Sequence, residues 1–221
     1  MNVALALLWK DLVCEWRSRD RIVAMIVFSI LVVVVFQFAW PAISKEETQA
    51  LAPGVLWVVY LFAALLGLGR TFTPELENDA LTGLALAPGT RGFIFAGKAM
   101  ASFILIAAVQ ALTAVVFALF FRLDWLGQAG DLAWVVGLAD LAIASVGTLF
   151  SALAVRSRFR EVLLPVLLIP SLIPVLASAV RATSVVLAGG TLGLADVQPL
   201  IVIAGIYAVL GFLLFDPVLD E

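Results

Sequence analysis

Six separate stretches of this sequence are long and apolar enough to cross a lipid bilayer. A membrane-spanning helix needs about 20 mostly apolar residues. Six stretches meet this requirement, over residues 21–40, 51–69, 99–121, 132–155, 162–182 and 199–215. Of the 221 residues, 64% are hydrophobic and only 13% are charged, whereas a soluble domain is about 45–50% apolar and about 25% charged. Because a bilayer offers no partners for backbone polar groups, such spans must be helical. We therefore predict an all-α, polytopic membrane protein that forms a single domain over residues 1–221.

The distribution of lysine and arginine predicts how these spans are oriented. Loops on the cytoplasmic side of a membrane carry an excess of Lys and Arg near the helix ends. With six spans, only three of the 13 cationic residues fall on the side opposite the termini, namely Lys45, Arg122 and Arg181. We therefore expect both termini on the cytoplasmic side, together with the long loop over residues 70–98.

Residues 1–20, before the first span, have the pattern of an amphipathic helix. Their apolar residues recur at helical spacing and form one stripe, Leu5, Leu8, Trp9, Leu12, Val13 and Trp16. Lys10, Cys14, Arg17 and Arg21 lie opposite that stripe. We expect this helix to lie in the plane of the membrane lipid, with its cationic face towards the headgroups. It is either a passive anchor or an elbow that transmits motion.

The loop over residues 70–98 contains a second short helical pattern. Thr73 can cap a helix that begins at Pro74, and Glu75 and Glu77 fall in its first turn, near the positive end of the helix dipole. One edge of this helix is apolar, formed by Leu76, Ala80, Leu81 and Leu84. Such a helix, held parallel to the cytoplasmic surface and ended by Pro88, is suited to docking in the groove of another protein. The alternative is an ordinary solvated turn.

Residues 92–98 match the glycine and lysine spacing of a phosphate-binding loop. The next residue is Ala99, where a Ser or Thr hydroxyl is needed to reach Mg²⁺, and no strand precedes the segment. We therefore predict that this chain does not bind a nucleotide.

The composition also argues against several kinds of site. The sequence contains no histidine and a single cysteine, Cys14, which excludes a His-bearing or multi-Cys metal centre and an internal disulfide. A net charge of −3 without a basic block argues against a nucleic-acid partner. Since no catalytic triad, Cys/His pair or carboxylate dyad is recognisable, we predict no catalytic residue and no metal ligand.

Two polar residues and three prolines lie within predicted spans. Asp140 is the only acidic residue deep in a span, and an ionised carboxylate there is costly unless it faces the bundle interior or water. Either a proton or substrate contact, or a helix–helix hydrogen bond, would explain it, and Gln110 could serve the same purposes. Pro165, Pro170 and Pro174 each remove a backbone donor from the fifth span, which indicates a bent or hinging helix.

The turn between the fourth and fifth spans is the second one on the cytoplasmic side. Its charged residues are Arg156, Arg158, Arg160 and Glu161. They are typical topology anchors, with contact to a partner as the second interpretation. Just before this turn, Gly147 and Ser151 form a small-residue patch that favours close helix packing.

These features together resemble the permease subunits of ABC-2 type transporters and, more narrowly, the haem exporter protein B family. The loop residues that carry the resemblance read Glu75-x-Glu77…Leu81-x-Gly83-Leu84-x-Leu86-x-Pro88…Gly97-Lys98. Three further stretches are similar to that family, over residues 10–21, 62–68 and 147–176.

The resemblance implies partners and a coupling role. It implies that a separate ABC ATPase subunit, which binds ATP and Mg²⁺, docks on a coupling helix over residues 74–88. The residues at that interface would be Glu75, Glu77, Leu81, Leu84, Pro88 and Arg91. The resemblance also implies a haem-handling membrane subunit, a small membrane subunit and room for a second permease copy, in the bacterial inner membrane. The complex would handle haem in cytochrome c maturation and use ATP hydrolysis to release a haem-loaded chaperone, while this chain binds no cofactor itself.

Two other functions stay open from the residues alone. An ABC-2 permease could instead export a drug, a lipid or a glycan. A proton-coupled carrier built around Asp140 is the other alternative, although a proton relay usually needs further acids or histidines in the membrane.

Overall fold

The computed structural model of the chain describes residues 3–39, 45–77, 83, 90–123, 126–155 and 157–220. Regular structure in these ranges is entirely helical, and 6 helices are long and apolar enough to cross a membrane. The predicted all-α membrane fold is therefore confirmed. The helices are α1 (Val3–Ser18), α2 (Asp20–Ala39), α3 (Lys45–Leu68), α4 (Thr73–Glu77), α5 (Gly92–Phe121), α6 (Ala129–Ala154), α7 (Arg160–Leu187) and α8 (Leu194–Asp220), with a 3₁₀ turn at Leu126–Gln128.

The helix boundaries extend beyond the apolar stretches. α5 contains 30 residues and is therefore about 45 Å long at 1.5 Å per residue, which exceeds the roughly 30 Å of the hydrocarbon core. Its first residues lie in the segment that the sequence predicts as loop. Hydropathy marks where lipid begins, whereas backbone hydrogen bonding continues past that point.

The inner helices of the bundle are α3 and α6, and α6 packs against α5, α7 and α8. Close packing at the end of α6 depends on small residues, as the sequence predicts. A Cβ added to Gly147 would lie 2.3 Å from Cδ1 of Leu68, and the hydroxyl of Ser151 lies 2.8 Å from the Leu68 carbonyl oxygen. The patch at Gly147 and Ser151 is confirmed as the place where α6 meets the end of α3.

Helix α1 and the last turns of α8 lie at the end of the bundle where α3 ends and α5 begins, which we call the loop end. α1 packs across the first turns of α5, and a Cβ at Gly97 would lie 2.6 Å from the backbone oxygen of Ala4. Only a glycine allows this approach. At the other terminus, the guanidinium of Arg91 donates to the Asp216 carbonyl at 3.0 Å. The first described helix and the end of the last one therefore lie on the same side of the bundle.

Candidate functional site

Four charged side chains from three segments meet at the loop end, and we call Lys10, Asp11, Glu75 and Lys98 the loop-end network. Lys98, in the second turn of α5, is completely buried. Its Nζ lies 2.8 Å from Oε1 of Glu75 and 3.0 Å from Oδ2 of Asp11. Lys10 of α1 pairs with the same Glu75 oxygen and lies 3.1 Å from Asp11. The network therefore joins α1, α4 and α5.

The burial of this network makes each charge depend on the others. The side chain of Glu75 is 3% exposed and that of Asp11 is 14% exposed. The side chain of Lys10 is 41% exposed, so the network is buried on the side of Lys98 and Glu75 and open to its surroundings at Lys10. Two ammonium groups are matched by two carboxylates. Removing one member of a buried pair leaves an uncompensated charge, which typically costs about 3–5 kcal/mol.

Further contacts surround the ammonium group of Lys98. It donates to the backbone carbonyl of Thr71 at 3.1 Å and lies 4.9 Å from the centre of the Phe72 ring. Phe72 also stacks on Phe215 near the end of α8. The segment between α3 and α4 is therefore held between α5 and α8.

The environment of Lys10 favours its charged form. Its partial burial lowers the pKa, but the hydrogen bond to Glu75 and the nearby charge of Asp11 outweigh this effect, so the pKa of Lys10 lies above its usual value. The ammonium group therefore remains protonated at neutral pH.

A second ion pair fixes the corner between α1 and α2. The guanidinium of Arg21 lies 3.2 Å from Glu15, and the other Glu15 oxygen accepts from the backbone N–H of Ile22 at 3.0 Å. This carboxylate thus caps the first turn of α2 from the preceding helix. Arg21 also reaches the hydroxyl of Thr71 at 3.5 Å, which extends the polar contacts towards the loop.

The orientation predicted for α1 was wrong for part of its polar face. Lys10 and Arg21 point into the protein towards Glu75 and Glu15, not towards lipid headgroups. Trp9 and Trp16 are instead 70% and 73% exposed. The physical reason is that the poorly exposed carboxylates of Glu75 and Glu15 need counter-charges.

The structure describes only the beginning of the predicted coupling helix. Helix α4 begins at Thr73, but Leu81, Leu84 and Pro88 lie outside the described residues, as does the side chain of Glu77. Glu75 is buried in the loop-end network, so its carboxylate faces inward. Contact of this segment with an ATPase stays a prediction, since nothing here tests it.

In the second turn, Arg160 is the charged residue that the structure places near the start of the loop. Arg158 and Glu161 are exposed and Arg156 lies outside the described residues. Arg160 lines a small pocket together with Thr73 and Ser151. In the helix that follows, Pro165, Pro170 and Pro174 all lie inside the continuous α7, and its predicted bending stays a prediction.

The polar residues predicted within the membrane are indeed buried together. Asp140 on α6 and Gln110 on α5 are 0% and 1% exposed. The hydroxyl of Tyr60 donates to the backbone oxygen of Gln110 at 3.1 Å, and the indole of Trp57 donates to the Thr183 hydroxyl at 2.9 Å. Polar side chains from α3, α5, α6 and α7 thus meet inside the bundle.

The sequence interpretation did not identify the partners of Lys98 and Lys10. A signal was present for Lys98, which is a single cation at the beginning of a long apolar stretch. A lysine in that position requires a carboxylate near it or access to water. Its partner Glu75 was identified only as a helix-cap and docking residue.

Comparison with known proteins gives a consistent family assignment. The family model described as CcmB protein matches residues 2–215. A protein named heme exporter protein B from Rhodobacter capsulatus is 31% identical over 211 residues, which cover 92% of this chain and 90% of the relative. Proteins of the same name from Paracoccus denitrificans and Bradyrhizobium diazoefficiens are 32% identical over 184 residues and 28% identical over 190 residues. These matches cover 80% and 86% of this chain, and 81% and 84% of the respective relatives.

Proposed function

This chain belongs to the CcmB protein family, and from that premise we propose that it is the permease subunit of an ABC transporter complex that handles haem during cytochrome c maturation. The observation that carries the proposal is the similarity to proteins named heme exporter protein B over most of both chains. The 6 apolar helices make it a multi-pass membrane protein, as a permease requires. We place it in the bacterial inner membrane with both termini cytoplasmic, because most of its Lys and Arg residues belong to the loop end.

The energy for this function would come from a separate ATPase subunit. Residues 92–98, which have the spacing of a phosphate-binding loop, belong to helix α5. Gly97 is covered by α1, and Lys98 is already paired with Glu75. This segment therefore has neither free backbone N–H groups nor an unpaired lysine that could bind a phosphate group. ATP and Mg²⁺ therefore belong to the partner, and this chain would act without a catalytic residue or a cofactor of its own.

Force from the ATPase would enter through the loop helix and the second turn. Helix α4 is joined through Glu75 to Lys10 on α1 and to Lys98 on α5. A displacement of the loop would therefore carry α1 and the start of α5 with it. In the complex this movement would be linked to release of a haem-loaded chaperone. Further partners would be a haem-handling membrane subunit, a small membrane subunit and a second permease copy.

Co-purification with the ATPase subunit tests the docking site. The chain would be co-expressed with a candidate ATP-binding cassette subunit, and the amount of ATPase recovered on the tagged permease would be measured. Glu77→Lys should lower that amount, because it reverses a charge in the first turn of the loop helix. Asp131→Lys, at the opposite end of the bundle, is the matched control and should leave recovery unchanged. Equal recovery with both variants would contradict docking on this loop.

The cargo of the complex is tested separately from docking. Deletion of the gene should abolish c-type cytochromes without changing drug tolerance or envelope composition. The opposite pattern would favour the alternative of a permease that exports a drug, a lipid or a glycan.

A further inference from the structure

Four polar atoms without hydrogen-bond partners lie in the middle of the bundle, on Asp140 and Gln110. We propose that Asp140 holds a proton and forms a cyclic acid–amide pair with Gln110, which ties α6 to α5 by two hydrogen bonds. The two residues lie close together, because α5 packs on α6 and Tyr60, which contacts the backbone oxygen of Gln110 at 3.1 Å, also faces Asp140. Within the described part of the chain, both oxygens of Asp140 and both polar atoms of the Gln110 amide lack a partner of normal geometry.

The position of Asp140 removes bulk water as a partner. It lies 11 residues after Ala129, the first residue of α6, which is about 16 Å along the helix axis. That distance places it near the middle of a hydrocarbon core about 30 Å thick. Since its exposed fraction is 0%, any partner must come from the protein or from a trapped molecule.

Neighbouring hydroxyl groups are already committed to backbone carbonyls. The single hydroxyl proton of Tyr60 is donated to the backbone oxygen of Gln110. Thr113 donates to Val109 at 2.8 Å, and Ser145 donates to Leu141 at 2.7 Å. The hydroxyl of Thr148 also lacks a partner, but Thr148 lies eight residues further along α6, about 12 Å from Asp140. Among these groups, the Gln110 amide is therefore the donor left for the carboxyl group of Asp140.

Among the described residues, no cation lies close enough to Asp140 to balance an ionised carboxylate. Lys98 and Arg122 each lie 12 residues from Gln110 along α5, about 18 Å away in either direction. Tyr60 on α3 is the titratable group that faces Asp140, and a phenol is neutral at physiological pH. An unpaired carboxylate in this environment is strongly unfavourable.

A neutral acid satisfies all four atoms at once. The acid O–H of Asp140 donates to the Gln110 side-chain oxygen, and an amide N–H of Gln110 donates to the other oxygen of Asp140. A carboxylate could accept from the amide but would leave the Gln110 oxygen without a donor. A small rotation of the two side chains would bring both hydrogen bonds to normal geometry. If the amide oxygen and nitrogen of Gln110 face the wrong atoms of Asp140, rotating the amide by half a turn exchanges them.

This inference is independent of the proposed function and constrains it. A proton that is enclosed and shared in a ring is a structural proton, which does not exchange during each transport cycle. Asp140 then acts as a link between α5 and α6, and a proton-coupled carrier mechanism loses its only intramembrane acid.

Infrared spectroscopy of the purified full chain tests the protonation state. Wild-type protein should show a carboxylic-acid C=O band at neutral pH that is missing in Asp140→Asn, and the band should persist at mildly alkaline pH. Absence of a difference between the two proteins, or loss of the band at mildly alkaline pH, would overturn the proposal.

Thermal unfolding tests the pairing. Asp140→Asn keeps a neutral partner that can donate and accept, so its unfolding midpoint should stay near that of the wild type. Asp140→Leu leaves the buried side-chain amide of Gln110 without a partner and should lower the unfolding midpoint by about 2–12 °C. Replacing both residues by leucine should recover most of that loss, because no polar atom is left unpaired. An Asp140→Asn protein as unstable as Asp140→Leu would contradict the pair.

Discussion

Replacing Lys98 by methionine is the most direct perturbation of the loop-end network. Methionine keeps the length of the buried side chain and removes the ammonium group that contacts Glu75 at 2.8 Å and Asp11 at 3.0 Å. Breaking a buried ion pair typically costs about 3–5 kcal/mol. Lys10 still neutralises part of the remaining negative charge, so we expect the lower end, about 3 kcal/mol. In a chain of this size that corresponds to a fall of about 6–12 °C in the unfolding midpoint.

The assay would follow thermal unfolding of the purified chain by tryptophan fluorescence. Arg158→Met is the matched control, because Arg158 is an exposed cation at the same end and such substitutions usually change stability by less than about 0.5 kcal/mol. The double variant Lys98→Met with Glu75→Gln should be more stable than Lys98→Met alone, since it also removes the uncompensated carboxylate.

The single cysteine of the chain provides a second readout of the same perturbation. Cys14 is exposed on α1, so a spin label attached there reports the motion of that helix. Lys98→Met should increase the label's mobility because α1 loses the ion pair between Asp11 and Lys98 of α5. A midpoint within about 1 °C of the wild type, combined with unchanged label mobility, would refute the view that these charges hold α1 in place.

Three further substitutions test neighbouring features of the fold. Gly97→Ala would place a Cβ 2.6 Å from the Ala4 carbonyl oxygen. It should therefore displace α1, raise the mobility of a label at Cys14 and lower the free energy of unfolding by about 1–3 kcal/mol. A label whose mobility does not change would contradict the close packing of α1 on α5. In Gly147→Ala the added Cβ would meet the flexible side chain of Leu68 instead, so the loss of thermal stability should be smaller than in Gly97→Ala. Adding Leu68→Ala should restore part of the lost stability. A double variant as unstable as Gly147→Ala alone would contradict this contact. Because the pKa of Lys10 is raised by its partners, its stabilising effect is complete below the ordinary lysine pKa and disappears as pH rises through the higher folded value. The difference in unfolding midpoint between wild type and Lys10→Met should therefore be constant from about pH 6 to 9, and a difference that changes within that range would show that another group is involved.

The spans could be predicted from the sequence because length and hydropathy are properties of each segment by itself. The loop-end network could not, since Lys10 and Glu75 are 65 positions apart and meet only after α1 has packed on α5. The facing of α1 was misjudged for a related reason. Amphipathicity establishes that a helix has two faces, but in a membrane the apolar face can point outward to lipid while the polar face points into the protein. Asp140 and Gln110 were identified as unusual polar residues within spans. That they lie close together could not be predicted, because it depends on how α5 and α6 pack.

The sequence predicts that Glu75 and Glu77 both belong to the docking interface, but Glu75 is buried in the loop-end network. Reversing the charge at Glu75 would place two lysines beside an introduced cation, so loss of ATPase binding in that variant could result from a displaced α1 as easily as from a lost contact. Glu77 is two positions further along, and residues two apart in a helix point in different directions. A loss of ATPase recovery in Glu77→Lys without a change in thermal stability would assign docking to the loop helix independently of the loop-end network. Lys98→Met, if it left ATPase binding intact but uncoupled ATP hydrolysis from cytochrome c maturation, would assign transmission to the network beneath it.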